Sequence, residues 1–285
     1  MSQSPPMISR REFMKAGAAA LAAASVPDLS PFAAAADADP AYGGLPIGLQ
    51  SYTLREMSLD NALKAMQAEL KIHEVELFGG HFGGRSPNQV VELLTAHQVR
   101  CVSFGVVGFG TNHDENRKHF EMAKQLGCKN ISCDPEDDPK CWDSVGKLCD
   151  EYNMTAAIHP HGPGSRWVKI DQIHAAIKDV NPKIGMNDET GWLIAAGEDP
   201  VRCLDVFKGR VYAMHLKDFK KKDDGKLEDV PAGQGQLDVD ALIKKMIEHK
   251  FNGAMSIEYE GANPVPAVQQ SLVRIKEAVK KAKGA

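Results

Sequence analysis

After Gly44 the chain alternates between two kinds of segment, and this alternation constrains the fold more than any other feature. Short runs rich in β-branched and apolar residues each precede a stretch with helical spacing. The strand readings are Ile47–Tyr52, Glu74–Phe78, Val99–Phe104, Asn130–Cys133, Thr155–His159, Lys183–Asn187, Val211–Leu216 and Gly253–Tyr259. The helix readings that follow them are Leu59–Leu70, Asn88–His97, Glu115–Leu126, Cys141–Tyr152, Ile170–Val180, Pro200–Phe207, Asp238–His249 and Val265–Lys283. Pro87 marks one helix start, Gly127 suits one helix end, and Asp238 is a good N-cap. Strand–helix repetition builds parallel βαβ units, and eight of them close into a (β/α)8 TIM barrel of about 250 residues. The rival is an open doubly wound sheet. It lacks support here because Gly48-Leu-Gln-Ser-Tyr-Thr53 carries no glycine-rich dinucleotide fingerprint. A single-domain barrel over residues 44–285 is the expectation.

Strand phase then places the chemistry. In Val211-Tyr-Ala-Met-His-Leu216 the bulky set is Tyr212, Met214 and Leu216, and the other set is Val211, Ala213 and His215. Alternate side chains face opposite ways. In a parallel barrel the bulky set packs under the helices and the smaller set points inward. His215 is therefore expected at the C-terminal rim, facing in, with Lys217 one step beyond. The same phase puts His159 at the end of the fifth strand, Glu189 after the sixth and Glu258 after the eighth. Asp188 has the outward phase. Two imidazoles and two carboxylates converging on one mouth suit Mn²⁺, Zn²⁺ or Co²⁺, and carboxylates so close would repel without a cation. Glu76 closes the second strand at the same level. It reads as a sugar-hydroxyl acceptor or as a structural partner of a basic residue.

Composition narrows the function classes. The net charge is −4, charged residues are 25% and apolar residues 43%. No basic stripe marks a nucleic-acid surface. Lys220-Lys-Lys222, beside Asp223 and Asp224, reads as a solvated loop. Six cysteines show neither a C-x-x-C pair nor zinc spacing, and free buried thiols are expected.

The N-terminal 38 residues form a separate segment, a signal peptide and linker. Ser9-Arg-Arg-Glu-Phe-Met-Lys15, then an alanine-rich stretch and small residues at Ala33–Ala38, resemble a twin-arginine export signal. The apolar stretch is too short to span a bilayer, and no other run is long enough. The implied mature protein is soluble, exported and periplasmic, and a homo-oligomer stays open.

Ile184-Gly-Met-Asn-Asp-Glu-Thr-Gly-Trp192, Gly197-Glu-Asp-Pro200, Val211–Asp218 and Ser256-Ile-Glu-Tyr-Glu260 resemble the xylose isomerase-like barrels, the sugar phosphate isomerase/epimerase group, over roughly residues 44–282. The resemblance implies that His159, Glu189, His215 and Glu258 hold a divalent metal. It departs from the family in two places. Glu189-Thr-Gly-Trp192 stands where the family has Asp-Thr-Gly-His. His159 stands where ketose epimerases have one of two paired glutamates, which favours one-base enolisation or β-elimination. The implied reaction is isomerisation or epimerisation of a small carbohydrate by proton abstraction next to a carbonyl. The runner-up is a lyase acting β to the carbonyl of a keto-glycoside. A metal-dependent endonuclease and a non-catalytic sugar-binding barrel are weaker alternatives. In this scheme Glu258 or Glu260 accepts the proton, Lys217 holds the enediolate charge and His161 returns a proton. Trp192 walls a sugar face or simply packs. Arg166 and Trp167 grip the far end of the ligand or lie in an ordinary surface loop. Gly233-Gln-Gly235 is a weak signal for a phosphate cradle.

Overall fold

A computed structural model describes residues 40–284; the expected export signal lies outside them. The strands are β1 Ile47–Gln50, β2 Glu74–Leu77, β3 Arg100–Phe109, β4 Asn130–Pro135, β5 Thr155–Ile158, β6 Ile184–Glu189, β7 Val211–Leu216, β8 Asp218–Lys221, β9 Leu227–Val230 and β10 Ala254–Ile257. The helices are α1 Leu59–Ala65, α2 Pro87–Ala96, α3 His113–Leu126, α4 Pro139–Tyr152, α5 Ile170–Ile177, α6 Thr190–Ala195, α7 Pro200–Val206, α8 Val239–Glu248 and α9 Pro264–Ala282. Strands β1 to β7 and β10 form a closed barrel in the order β1-β10-β7-β6-β5-β4-β3-β2, with every pairing parallel. The chain is a (β/α)8 TIM barrel.

Local chemistry sets the helix ends. Ser86 and Gln89 make a reciprocal capping box in front of α2, with Pro87 at the first helical position. Asp138 and Asp238 cap α4 and α8 through backbone N–H groups of their first turns. Gly127 closes α3 in the left-handed conformation, at φ 78°.

The phase argument holds along most strands. Ile158, Met186, Met214, Leu216, Met255 and Ile257 join the large core between barrel and helices. Ala157, Ala213 and Ala254 form a separate small layer inside the barrel. Small residues are needed where eight strands crowd one axis. Burial of the outward set contributes about 1.5–3 kcal/mol per large side chain, so the helix layer supplies most of the stability. All six cysteines are free and buried.

Two expectations fail. The register between β6 and β7 shifts at Met186/Asn187, where Met186 pairs with Val211 and Asn187 with Ala213. This bulge turns Tyr212 inward against the alanine layer and sends Val211 to the outer core, the reverse of the sequence reading. The space comes from Gly185, where an added Cβ would lie 2.6 Å from the Tyr212 ring. The basic run Lys220–Lys222 is exposed as expected but begins in a hairpin, not a loop. Strands β8 and β9 pair antiparallel from Asp218–Val230 to Lys221–Leu227, with Lys222 in the turn between them. No helix among the described residues is long and apolar enough to cross a membrane.

Candidate metal centre

The barrel wall delivers the four expected ligands to one place. His159 follows β5, Glu189 ends β6, His215 lies near the end of β7 and Glu258 follows β10. The register pairs Glu189 with His215 directly. One donor atom from each of the four lies within 4.8 Å of the others, and all four residues are buried. His159 Nε2 is 3.0 Å from His215 Nδ1, and Glu258 Oε2 is 3.2 Å from the same Nδ1.

Two buried polar atoms of this cluster lack a partner among the described residues. Glu189 accepts from the Trp192 N–H through Oε2, while Oε1 has no partner among the described residues. His159 Nδ1 has none either. Burial, opposed by Lys217, pushes the Glu189 carboxyl up to about 8. Burial and the neighbouring His215 hold His159 well below the usual histidine range, which leaves its imidazole neutral with a lone pair to offer. Burial alone would raise Glu258, but Lys217 and His215 hold it well below the usual carboxylate range. A divalent cation would give the orphaned oxygen a partner and cancel the repulsion between Glu189 and Glu258. Two nitrogens and two carboxylates fit Mn²⁺, Zn²⁺ or Co²⁺.

Around the quartet the placements vary. Lys217 is 1% exposed, and its Nζ lies 3.9 Å from Glu258 Oε2 and 3.7 Å from Asp229 Oδ2, and in direct contact with Glu260. Burial would lower Lys217, but Glu258, Glu189 and Glu260 outweigh it and keep the amine protonated. The Nζ also sits 5.2 Å over the Trp192 ring, a cation–π contact. Trp192 is half-buried and packs edge-on to Phe219, across Gly162, where an added Cβ would meet its ring at 2.6 Å. His161 is exposed beside the cluster, its ring 4.4 Å from that of His159. Burial of its inner edge lowers its pKa.

Two residues, Glu76 and Trp167, are not where a ligand contact would need them. Glu76 is fully buried. Its Oε1 accepts from Gln50 Nε2 at 2.9 Å and faces His215 Nε2 at 3.1 Å, and its Oε2 accepts from Ser132 Oγ at 3.0 Å. The sugar-hydroxyl expectation gives way to the structural alternative, because both oxygens are already engaged. Trp167 is buried against Trp142 and donates to the Pro135 carbonyl, so it does not grip a ligand. Arg166 stays partly exposed but bonds Asp134 and the Pro135 carbonyl at 3.1 and 3.0 Å. Asp188 points away from the quartet, against Cys203 of α7, and burial holds its carboxyl well above the usual range.

Sequence reading missed two carboxylates. Asp229 reaches Lys217 only because the β8–β9 hairpin folds back, and burial pushes it up to about 7. Asp218 is fully buried and accepts four backbone N–H groups, from Gly233, Gly235, Gln236 and Leu237, at 2.8–2.9 Å. An added Cβ at Gly235 would lie 2.5 Å from Asp218 Oδ1, so this loop must be glycine. The Gly233-Gln-Gly235 turn is indeed an anion nest, and the chain's own carboxylate fills it. Its signal in the sequence was the glycine pair; the occupant could not be read.

Comparison with known proteins agrees with this architecture. An inosose dehydratase of Clostridium beijerinckii is 22% identical over 291 residues, covering 82% of this chain and 96% of that protein. A crystal structure of IolI protein with a binding zinc atom shares the fold at TM-score 0.66 and 18% identity, covering 83% of this chain and 99% of that one. A Mycobacterium smegmatis xylose isomerase-like TIM barrel protein in complex with magnesium does so at TM-score 0.66 and 12% identity, covering 85% and 98%. The twin-arginine translocation signal-sequence family matches residues 7–27. The family described as xylose isomerase-like TIM barrel matches residues 61–278, and with a barrel of this order and a rim of this chemistry the chain belongs to that family.

Proposed function

We propose that this chain is an exported, metal-dependent carbon–oxygen lyase. It removes a group β to a carbonyl, and the first candidate is water from a keto-polyol of the inosose kind. The observation that carries this reading is the asymmetry around the quartet: one neutral histidine, His161, stands at the mouth beside it, and one protonated lysine, Lys217, stands behind. Symmetric epimerisation needs two proton carriers flanking one carbon, and the fifth strand supplies His159 instead of a carboxylate. The relatives named as inosose dehydratases support the same class.

His159, Glu189, His215 and Glu258 would hold the cation. When bound, a divalent ion supplies Lewis acidity and lowers the cost of negative charge at the substrate's carbonyl oxygen. Lys217 adds a fixed positive charge on the same side, where electrostatic stabilisation is most effective. Glu260 and Asp229 hold that ammonium in place. His161 takes the proton from the carbon next to the carbonyl and can pass it to the departing oxygen. Glu258, held strongly ionised by Lys217 and His215, serves better as a ligand than as the proton acceptor first expected. Trp192 offers an apolar wall for the ring face, and Arg166 remains the rim residue for the ligand's far end. The filled nest at Gly233–Leu237 supports a substrate without phosphate, as does export, since sugar phosphates are scarce outside the cytoplasm. Residues 1–38 act as signal and linker, residues 44–285 as the barrel, and the periplasm is the destination.

The test is turnover of 2-keto-myo-inositol, and separately of a 3-keto-glycoside, by protein loaded with Mn²⁺, Zn²⁺ or Co²⁺ in D2O, followed by mass spectrometry. Loss of one water, or release of an aglycone from a 3-keto-glycoside, is the expected result. Deuterium uptake at carbon with no bond to oxygen broken would return the reaction to isomerisation or epimerisation.

A further inference from the structure

Resting on the reading that Lys217 supplies a fixed positive charge to the reaction, we propose that Gly191 is the residue that positions it, by leaving room for the lysine stem. The buried Lys217 side chain is held at both ends. At its root, Thr190 Oγ1 accepts from the Lys217 N–H at 2.9 Å and donates to the Lys217 carbonyl at 2.6 Å. At its tip, Nζ contacts Glu260, faces Asp229 at 3.7 Å, and sits 5.2 Å from the Trp192 ring and 5.5 Å from the Phe219 ring. Between these ends the stem crosses Gly191. A Cβ added there would lie 2.8 Å from Cγ, 3.0 Å from Cδ and 3.1 Å from Cβ of Lys217. Carbon atoms pack best at about 3.5–4.0 Å, so the added methyl would clash. A free lysine tip would swing aside. This stem is pinned at both ends, so the ammonium must shift with it. Nothing in the backbone asks for glycine: Gly191 lies in the first turn of α6, with φ outside the left-handed region. Alanine is the better helix residue. The glycine therefore answers the lysine and not the helix.

The experiment pairs NMR of the full barrel protein labelled with ¹³C-lysine with kinetics of the Zn²⁺-loaded protein. The Lys217 ε-CH2 resonance, identified by its absence in Lys217→Ala, is expected to be displaced in the wild type by the ring currents of Trp192 and Phe219. In Gly191→Ala it should move toward the ordinary lysine position. Gly191→Ala is also expected to lower kcat about 10²-fold with KM held within about threefold, as for a charge misplaced by ~1 Å. In the Lys217→Ala background the same change should cost less than about threefold, because the two closest atoms, Cγ and Cδ, are gone. Thr190→Val should release the root of the stem and move both readouts in the same direction, and Thr190→Ser, which keeps the hydroxyl, should restore them. That pair serves if Gly191→Ala does not fold. An unmoved Lys217 resonance in Gly191→Ala, or a kcat loss as large in the Lys217→Ala background as in the wild type, overturns the role of Gly191. A wild type that turns over neither 2-keto-myo-inositol nor a 3-keto-glycoside sinks the lyase reading alone, and the resonance then decides whether Gly191 positions Lys217.

Discussion

Asp218 and Glu189 are both fully buried carboxylates on the same rim, one just after β7 and one at the end of β6. The loop that Asp218 holds is saturated, with four backbone N–H groups on two oxygens. Glu189 has a single N–H on one oxygen and, among the described residues, nothing on the other. Burying a charge is costly unless it is paired or hydrogen-bonded. The satisfied carboxylate is therefore part of the scaffold: it ties the β8–β9 hairpin to the start of α8. The unsatisfied one stores a demand for positive charge. Asp188 is as buried, with both oxygens unpaired among the described residues, yet points away from the quartet, so an unpaired oxygen marks a candidate functional acid only where other ligand-type donors face it, as they do at Glu189.

Breaking each acid should fail in a different currency. The largest effect is expected at the quartet. Glu189→Gln should lower Zn²⁺ affinity on the order of 10³-fold, because an amide neither neutralises nor ligates as a carboxylate does. The metal-free variant should be no less stable in urea than metal-free wild type, since the swap removes repulsion with Glu258. A metal-free Glu189→Gln that unfolds far more easily would make Glu189 scaffold and erase the contrast. Asp218→Ala comes next. It leaves four N–H groups without their acceptor, and a loss of stability on the order of 4 kcal/mol in urea unfolding is expected. Asp218→Asn should cost about half of that, because one oxygen still accepts.

The two acids also differ in how far the sequence reveals them. Glu189 was legible because its strand obeys the two-residue period: small or polar inward, bulky outward, as in Ala157 against Ile158 and Ser256 against Ile257. Four strands with the same phase end at the same height, so convergence follows from the barrel alone. Asp218 was illegible because its partners lie 15–19 residues on, across a hairpin whose strands carry no apolar alternation. Tyr212 shows the limit of the period itself. One inserted residue reverses the phase, and nothing in Val211-Tyr-Ala-Met announces a bulge. Glu76 had the right phase and height for a ligand contact. Only the side chains on either side of it, Gln50 and Ser132, show that it faces down into the barrel wall and not out to the mouth.

Asp229 lies between the two extremes and sharpens the contrast by pH. One of its oxygens accepts from the Glu260 N–H at 3.2 Å and faces Lys217, while Oδ1 is buried with no partner among the described residues. Burial outweighs Lys217 and raises the carboxyl from 3.8 to about 7. The folded state then binds more protons than the unfolded chain between those values. Its contribution to stability is fully present below the unfolded pKa and is lost as pH rises through about 7. Metal-free protein should accordingly lose on the order of 2 kcal/mol from this group between acidic and neutral pH, allowing for relaxation of the hairpin. Asp229→Asn should flatten that part of the urea-midpoint profile. A profile as steep in Asp229→Asn as in the wild type would mean that Lys217 keeps Asp229 ionised, and that it belongs with Asp218 among the satisfied acids.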